Sequence, residues 1–233
     1  MIKMNNSNVQ MSSEELKKIP LFNGLSEEDL LNLAGSSTVF EVGKADKIYD
    51  QGQPIEFIYF VLQGCVKVGA VAGPEKVIIK SLIYENEVFG ENVFTSTNRS
   101  EFAEALKSCT ILRIPAVKVQ DLIYSSGFFA NAVTSVIIGR IKKLDERMEA
   151  FVFKTAKSRI VDFLKFSALQ KGTKIGFDEM LLNHGMSHKE IAYLTDTSRQ
   201  TVARVLTELK NLNIIHFSSR MSHKILIRNL AAL

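Results

Sequence analysis

Cysteine is scarce in this 233-residue chain, and the two present, Cys65 and Cys109, lie far apart. A disulfide framework or an iron–sulfur cluster needs more cysteines, or closer ones. Both sit among apolar neighbours, which predicts buried free thiols. Long apolar runs are missing too. The opening stretch MIKMNNSNVQMSSEEL has no hydrophobic segment of the secretory kind, and nothing later approaches about twenty uninterrupted apolar residues. No membrane partner is expected, and the expected location is the cytoplasm. Catalytic signatures are equally absent. There is no glycine-rich phosphate loop, no metal-ligand cluster, and no serine or cysteine beside a base in a strand–turn–helix context. An enzyme is not expected.

What is present has the composition of a globular protein, 46% hydrophobic and 23% charged. The length suits one large domain or two ordinary ones, each able to bury a core. The net charge of +4 is modest, but it is unevenly placed. From Lys154 onward thirteen Lys and Arg stand against six Asp and Glu, a net of +7, which leaves −3 for the rest. A basic last third beside a mildly acidic first part suggests two jobs, with a phosphate backbone as partner of the basic part.

Within that basic third, Met186–Leu209 reads as two short helices joined by a tight turn. Ser187 caps the first, and Glu190 completes a capping box. Thr195-Asp196-Thr197 is polar turn material. Ser198 caps the second helix, whose Val202, Val205, Leu206 and Leu209 recur at helical spacing. Arg199, Gln200 and Arg204 fall off that stripe and face outward near the helix start, as reading a major groove of double-stranded DNA requires. Thr201 is better placed for a phosphate than for a base. Downstream, Ile214–Phe217 and Lys224–Ile227 bracket a polar turn. They predict a β-hairpin, a wing whose tip residues Arg220, Ser222 and Lys224 are placed to touch phosphates.

The rest of the chain predicts an α+β fold. Residues 12 to 35 are helical in pieces, with Ser26 opening a helix that carries Leu30, Leu31 and Leu33. From Thr38 to Pro115 short β-branched and aromatic runs such as Phe57–Leu62, Val66–Val68 and Val77–Ile79 are punctuated by glycine, which predicts an antiparallel barrel or sandwich. A short helix follows at 116–125, then a long one to about Phe153. On it Ile137, Ile141, Leu144, Met148 and Phe151 recur at intervals of 4, 3, 4 and 3, a heptad seam flanked by Arg140, Lys142, Lys143 and Arg147 among other charges. A narrow seam with charged flanks fits packing against a second copy across a two-fold axis. Packing on its own barrel is the other use of such a helix. The domain boundaries expected are a sensor barrel with flanking helices at 1–126, a dimerisation helix at 127–153 and a winged helix-turn-helix at 154–233.

In that order and length these parts resemble the Crp/Fnr family of bacterial transcription regulators. Local phrases carry the resemblance: IPLFNGLSEEDL before the barrel, YFVLQGCVKV within it, Phe89-Gly90-Glu91 and Arg99-Ser100 after it, and SRQTVAR in the second helix of the pair. It implies a cyclic-nucleotide-binding-like N-terminal β-barrel, cupin-like in shape. It also implies a homodimer on a near-palindromic operator, half-sites one helical turn apart, and RNA polymerase as a further partner. Control would come through an effector that favours one dimer arrangement over another. Arg199 and Arg204 match positions that fork onto guanine. Gln200 stands where the cyclic-AMP receptor subgroup carries Glu, so the preferred site should differ from that subgroup's.

The resemblance also suggests an effector site at Gly90, Glu91, Arg99 and Ser100, with Glu91 toward a ribose hydroxyl and Arg99 toward a cyclic phosphate. Against a cyclic nucleotide stand the short Glu91–Arg99 spacing, Glu101 beside the arginine, and Leu144-Asp145 where the adenine contacts should fall. Another small anion, or no ligand, is the alternative, with Glu91 and Arg99 then forming an internal ion pair or solvated loop charges. All four histidines, His184, His188, His216 and His223, lie in the last third. Haem therefore lacks an axial ligand in the barrel or long helix, and no iron–sulfur cluster is expected. His184 and His188 alone do not make a metal site. A regulatory module acting on a protein partner rather than on DNA is the second functional class. It would not need the outward-facing helix and its wing.

Overall fold

The computed structural model describes residues 5–73, 76–94, 96–217 and 224–233, with backbone alone at 5–9 and 93–94. The chain forms two compact units, Met1–Lys142 and Lys143–Leu233, which divide within one long helix.

The first unit begins with strand β1 (Asn5–Val9), helix α1 (Ser13–Leu16), a 3-10 turn at Pro20–Phe22 and helix α2 (Glu27–Ser36). Local chemistry sets these starts. Ser12 and Glu15 form a capping box around α1, and the Ser26 hydroxyl accepts from the Asp29 N–H at the head of α2. Eight strands follow: β2 (Thr38–Val42), β3 (Lys47–Tyr49), β4 (Phe57–Gln63), β5 (Val66–Val71), β6 (Val77–Ile83), β7 (Val88–Phe89), β8 (Phe102–Ala105) and β9 (Cys109–Pro115). They divide between two antiparallel sheets, ordered β1-β2-β9-β4-β7 and β3-β8-β5-β6.

The sequence left barrel and sandwich open and then favoured a barrel; the structure is a jelly-roll-like pair of sheets that does not close. Among the described residues no ladder joins one sheet to the other. One outer edge, β7, is only two residues long, too short to extend a ladder. Side chains fill the space between the sheets instead: Phe40, Tyr59, Val61 and Ile111 from one, and Ile48, Val66, Val68 and Ala103 from the other. Cys65 and Cys109 are buried free thiols, as their neighbours predict. The outer face of the five-stranded sheet is covered by α1, α2, helix α3 (Ala116–Ser125) and the start of helix α4 (Gly127–Phe153). There Phe22 meets Phe60 at 4.9 Å and Phe129 at 6.0 Å between ring centres. Strand β4 is therefore buried on both faces, Ile58 and Phe60 toward the helices, Tyr59 and Val61 toward the other sheet. This is why its sequence shows an unbroken apolar run rather than alternation.

The second unit holds the end of α4, helix α5 (Ala156–Lys171), strands β10 (Thr173–Lys174) and β11 (Met180–Asn183), helices α6 (His188–Leu194) and α7 (Arg199–Asn211), and strands β12 (Ile215–His216) and β13 (Lys224–Ile227). The Thr155 hydroxyl caps α5, and Gly172 ends it. The expected hairpin is present, with Ile215 opposite Ile227, but β13 also pairs along its length with β11. The wing is thus the edge of a four-stranded sheet. Arg220, Ser222 and His223 lie outside the described residues. No single helix among the described residues is long and apolar enough to cross a membrane.

Candidate nucleic-acid interface and sensor pocket

Helices α6 and α7 begin where their caps dictate. The Ser187 hydroxyl accepts from the Glu190 N–H at 3.3 Å, and the Glu190 carboxylate accepts from the Ser187 N–H at 2.8 Å. The Ser198 hydroxyl accepts from the Thr201 N–H at 3.0 Å and bonds the Thr201 hydroxyl at 2.9 Å. Val202, Val205, Leu206 and Leu209 are buried as α7 packs on α5 and α6. Ser187, Ser198, Arg199, Gln200 and Arg204 remain exposed, and Thr201 is half-buried. Burial, and after it the Arg199 charge, lowers the His188 imidazole from its ordinary value. At the start of α7 the exposed Ser198, Arg199 and Gln200 make a polar, cationic surface, where backbone N–H groups and the helix dipole favour anions.

Two arginines outside the pair hold its turn. Arg147, on α4, donates from Nε and Nη2 to the two carboxylate oxygens of Asp196 at 2.9 and 2.7 Å, and from Nη2 to the Tyr193 carbonyl at 3.3 Å. Arg159, on α5, donates to the Thr195 and Asp196 carbonyls at 2.9 and 2.8 Å. Sequence reasoning placed Arg147 among the solvated flanking charges of α4 and passed over Arg159.

In the first unit, Gly90, Glu91, Arg99 and Ser100 do come from one neighbourhood, but Glu91 and Arg99 do not pair. The Glu91 carboxylate binds the Arg140 guanidinium of α4, which also donates to the Val88 carbonyl. Arg140 is therefore not the solvated flank its position on the helix suggested. Arg99 is 3% exposed. Its Nη1 donates to the Gly90 carbonyl at 2.7 Å, Nη2 donates to the Phe57 carbonyl, and the guanidinium lies 4.1 Å from the centre of the Tyr49 ring. Tyr49, Tyr59 and Phe89 stack around it, with centres 5.3 to 6.1 Å apart. Burial, then Glu101, pushes the Tyr49 phenol far up, so it stays protonated. Glu101 itself is buried and meets Lys80 at 3.2 Å. The Ser100 hydroxyl accepts from Asn92 at 2.8 Å. Among the described residues of this unit, Tyr49 Oη, Glu91 Oε2 and Arg99 Nε are buried without a hydrogen-bond partner.

Gly90 sits at φ +81°, and a Cβ there would stand 2.7 Å from Arg99 Nη1. Gly90→Ala is expected to destabilise this unit by about 1–3 kcal/mol through strained backbone and to displace Arg99. Urea unfolding of the protein checks it; a first-unit midpoint unchanged from wild type would contradict the packing described.

The seam residues of α4, Ile137, Ile141, Leu144, Met148 and Phe151, are between 38% and 62% exposed. Ile138, Val152 and Phe153 are exposed as well. The uncovered apolar face is thus wider than a strict heptad seam, while Val133 and Val136 pack against the core of the first unit.

Residues 39–126 match the cyclic nucleotide-binding domain family, and residues 158–233 match the Crp-like helix-turn-helix domain family. The chain belongs to the Crp/Fnr family. Among its relatives, the global nitrogen regulator of Synechocystis sp. is 27% identical over 82% of this chain and 84% of its own length. The cyclic AMP receptor protein of Thermus thermophilus is 27% identical over 86% of this chain and 89% of its own. In fold it resembles FixK2 from Bradyrhizobium japonicum, with a TM-score of 0.72 at 21% identity, covering 84% of this chain and 94% of that one. This Crp/Fnr protein is a DNA-binding transcriptional regulator. The alternative of a module acting on a protein partner is set aside, because the last third of the chain is a Crp-like helix-turn-helix domain.

Proposed function

We propose that this Crp/Fnr regulator binds a near-palindromic operator as a homodimer and lays the start of α7 from each copy into successive major grooves. The observation that carries this reading is the exposed Arg199, Gln200 and Arg204 above a fully buried apolar stripe on α7. Arg199 and Arg204 fork onto guanines, and Gln200 pairs with adenine. Ser187, Ser198 and Thr201, with Arg220 of the wing, meet phosphates and set register. The apolar face of α4 joins the two copies, and RNA polymerase is the downstream partner.

The same reading gives the first unit a sensory role with an effector other than a cyclic nucleotide. A cyclic phosphate would need the Arg99 fork, yet Nη1 and Nη2 each already donate to a backbone carbonyl, which turns the fork inward to the chain. Glu91, the ribose partner in the resemblance, is engaged by Arg140. Selection of bound duplexes from a random pool, with and without cyclic AMP, tests both parts. A palindromic motif enriched equally in the two arms is expected. Enrichment only with cyclic AMP would overturn the effector reading, and no motif in either arm would count against the operator reading.

A further inference from the structure

The turn between α6 and α7 is held by more bonds than a solvent-facing turn needs. Asp196 occupies the left-handed region at φ +52°, a conformation that costs most residues energy and that Asp and Asn tolerate best. Arg147 grips its carboxylate with both arms of the guanidinium fork, and both side chains are four-fifths buried at 21% exposure. The Tyr193 carbonyl accepts a further bond from the same guanidinium. On the other side Arg159 ties the Thr195 and Asp196 carbonyls to the Lys154 carbonyl and lies 5.3 Å from the Phe151 ring. Leu144, Met148 and Phe151, seam residues with exposed side chains, share this last stretch of α4 with Arg147.

Resting on the homodimer reading above, we infer that Arg147 is a positioning residue for operator recognition. By clasping Asp196 it fixes the α6–α7 turn to the end of the dimer helix and so holds the two recognition helices at one spacing. Neither residue needs to touch DNA for this. A single half-site asks only that the side chains of α7 be exposed. A palindrome asks that two copies of α7 stand about 34 Å apart in a fixed orientation. Freeing the turn therefore lowers the advantage of two linked half-sites over one, because the second contact is no longer presented at its effective concentration.

The test uses the full-length protein and two duplexes, the palindrome it selects from a random pool and the same duplex with one half-site scrambled. In Arg147→Gln and in Asp196→Asn, the palindrome-over-half-site affinity ratio is expected to fall about tenfold, and tolerance of altered half-site spacing to widen. Asp196→Asn preserves the left-handed turn, so it remains informative should Arg147→Gln fail to fold. The two variants also change net charge in opposite directions. A bulk electrostatic effect would move their DNA affinities apart, whereas loss of the clasp moves the ratio the same way in both. Ratios equal to wild type in folded, dimeric variants, whether or not the melting temperature falls, would overturn the inference and leave the clasp a stabilising contact only. A wild-type protein that selects no palindrome would instead overturn the operator reading on which it rests.

Discussion

Ile141→Glu is expected to produce a folded monomer that has lost its operator. Ile141 stands mid-way along the exposed apolar face of α4, among Ile137, Ile138, Leu144 and Met148, and is itself about half exposed. In a single chain a glutamate there faces water and costs little. In a dimer it is forced against its own copy across the two-fold axis, where an unpaired carboxylate is desolvated and repelled by its twin. Each large aliphatic side chain buried in such a seam contributes roughly 1.5–3 kcal/mol, and one charge forfeits more than one of these contacts. Splitting the dimer removes the avidity of two half-sites, so operator affinity falls by about a hundredfold or more. Sedimentation velocity and a binding titration check the two parts. A dimer that persists with full operator affinity would show that the copies meet elsewhere.

Arg199→Ala is the other large effect, and its signature is selectivity rather than strength alone. Arg199 is the first residue of α7, exposed and directly after the Ser198 cap. A bidentate pair with guanine O6 and N7 is worth about 1–3 kcal/mol of discrimination, so the loss per half-site is about tenfold. Random DNA offers the same phosphates and loses one charge's worth of attraction, a far smaller change. Titrations against the selected operator and a scrambled duplex at one salt concentration separate the two. Equal losses on both would make Arg199 a phosphate contact, and the base reading would pass to Gln200 and Arg204.

The parts of the fold read from sequence are those whose causes are local. The Ser187–Glu190 box and the Ser198 cap lie within four residues of what they satisfy, and they open α6 and α7 at the expected positions. The glycine-punctuated apolar runs correctly marked strands. What they could not reveal was how strands pair across the chain, as β3 does with β8, and so the runs alone could not choose between a barrel and a sandwich. The same limit applies to the long arginines. Arg140 and Arg147 fall off the apolar seam, which says only that they are not in it. Their partners Glu91 and Asp196 are each 49 residues away, and nothing in helical periodicity reaches that far. A hint was present in the choice of arginine, whose rigid fork suits a fixed carboxylate, and in a turn whose left-handed position is filled by Asp rather than Gly. In the first unit an ion pair between Glu91 and Arg99 was one of the readings, and the structure pairs Glu91 with Arg140 instead. Glu91 and Arg99 are near in sequence, but Glu91 binds Arg140 while Arg99 donates to the Gly90 and Phe57 carbonyls.

Hydroxyl-radical footprinting of the wild-type protein on its selected operator tests the central claim most directly. Two protected segments on one face of the duplex, centred one helical turn apart and both lost in Ile141→Glu, are the predicted result. A single protected segment, or protection that survives in the monomer with its spacing intact, would contradict recognition by two copies of α7 held together through α4.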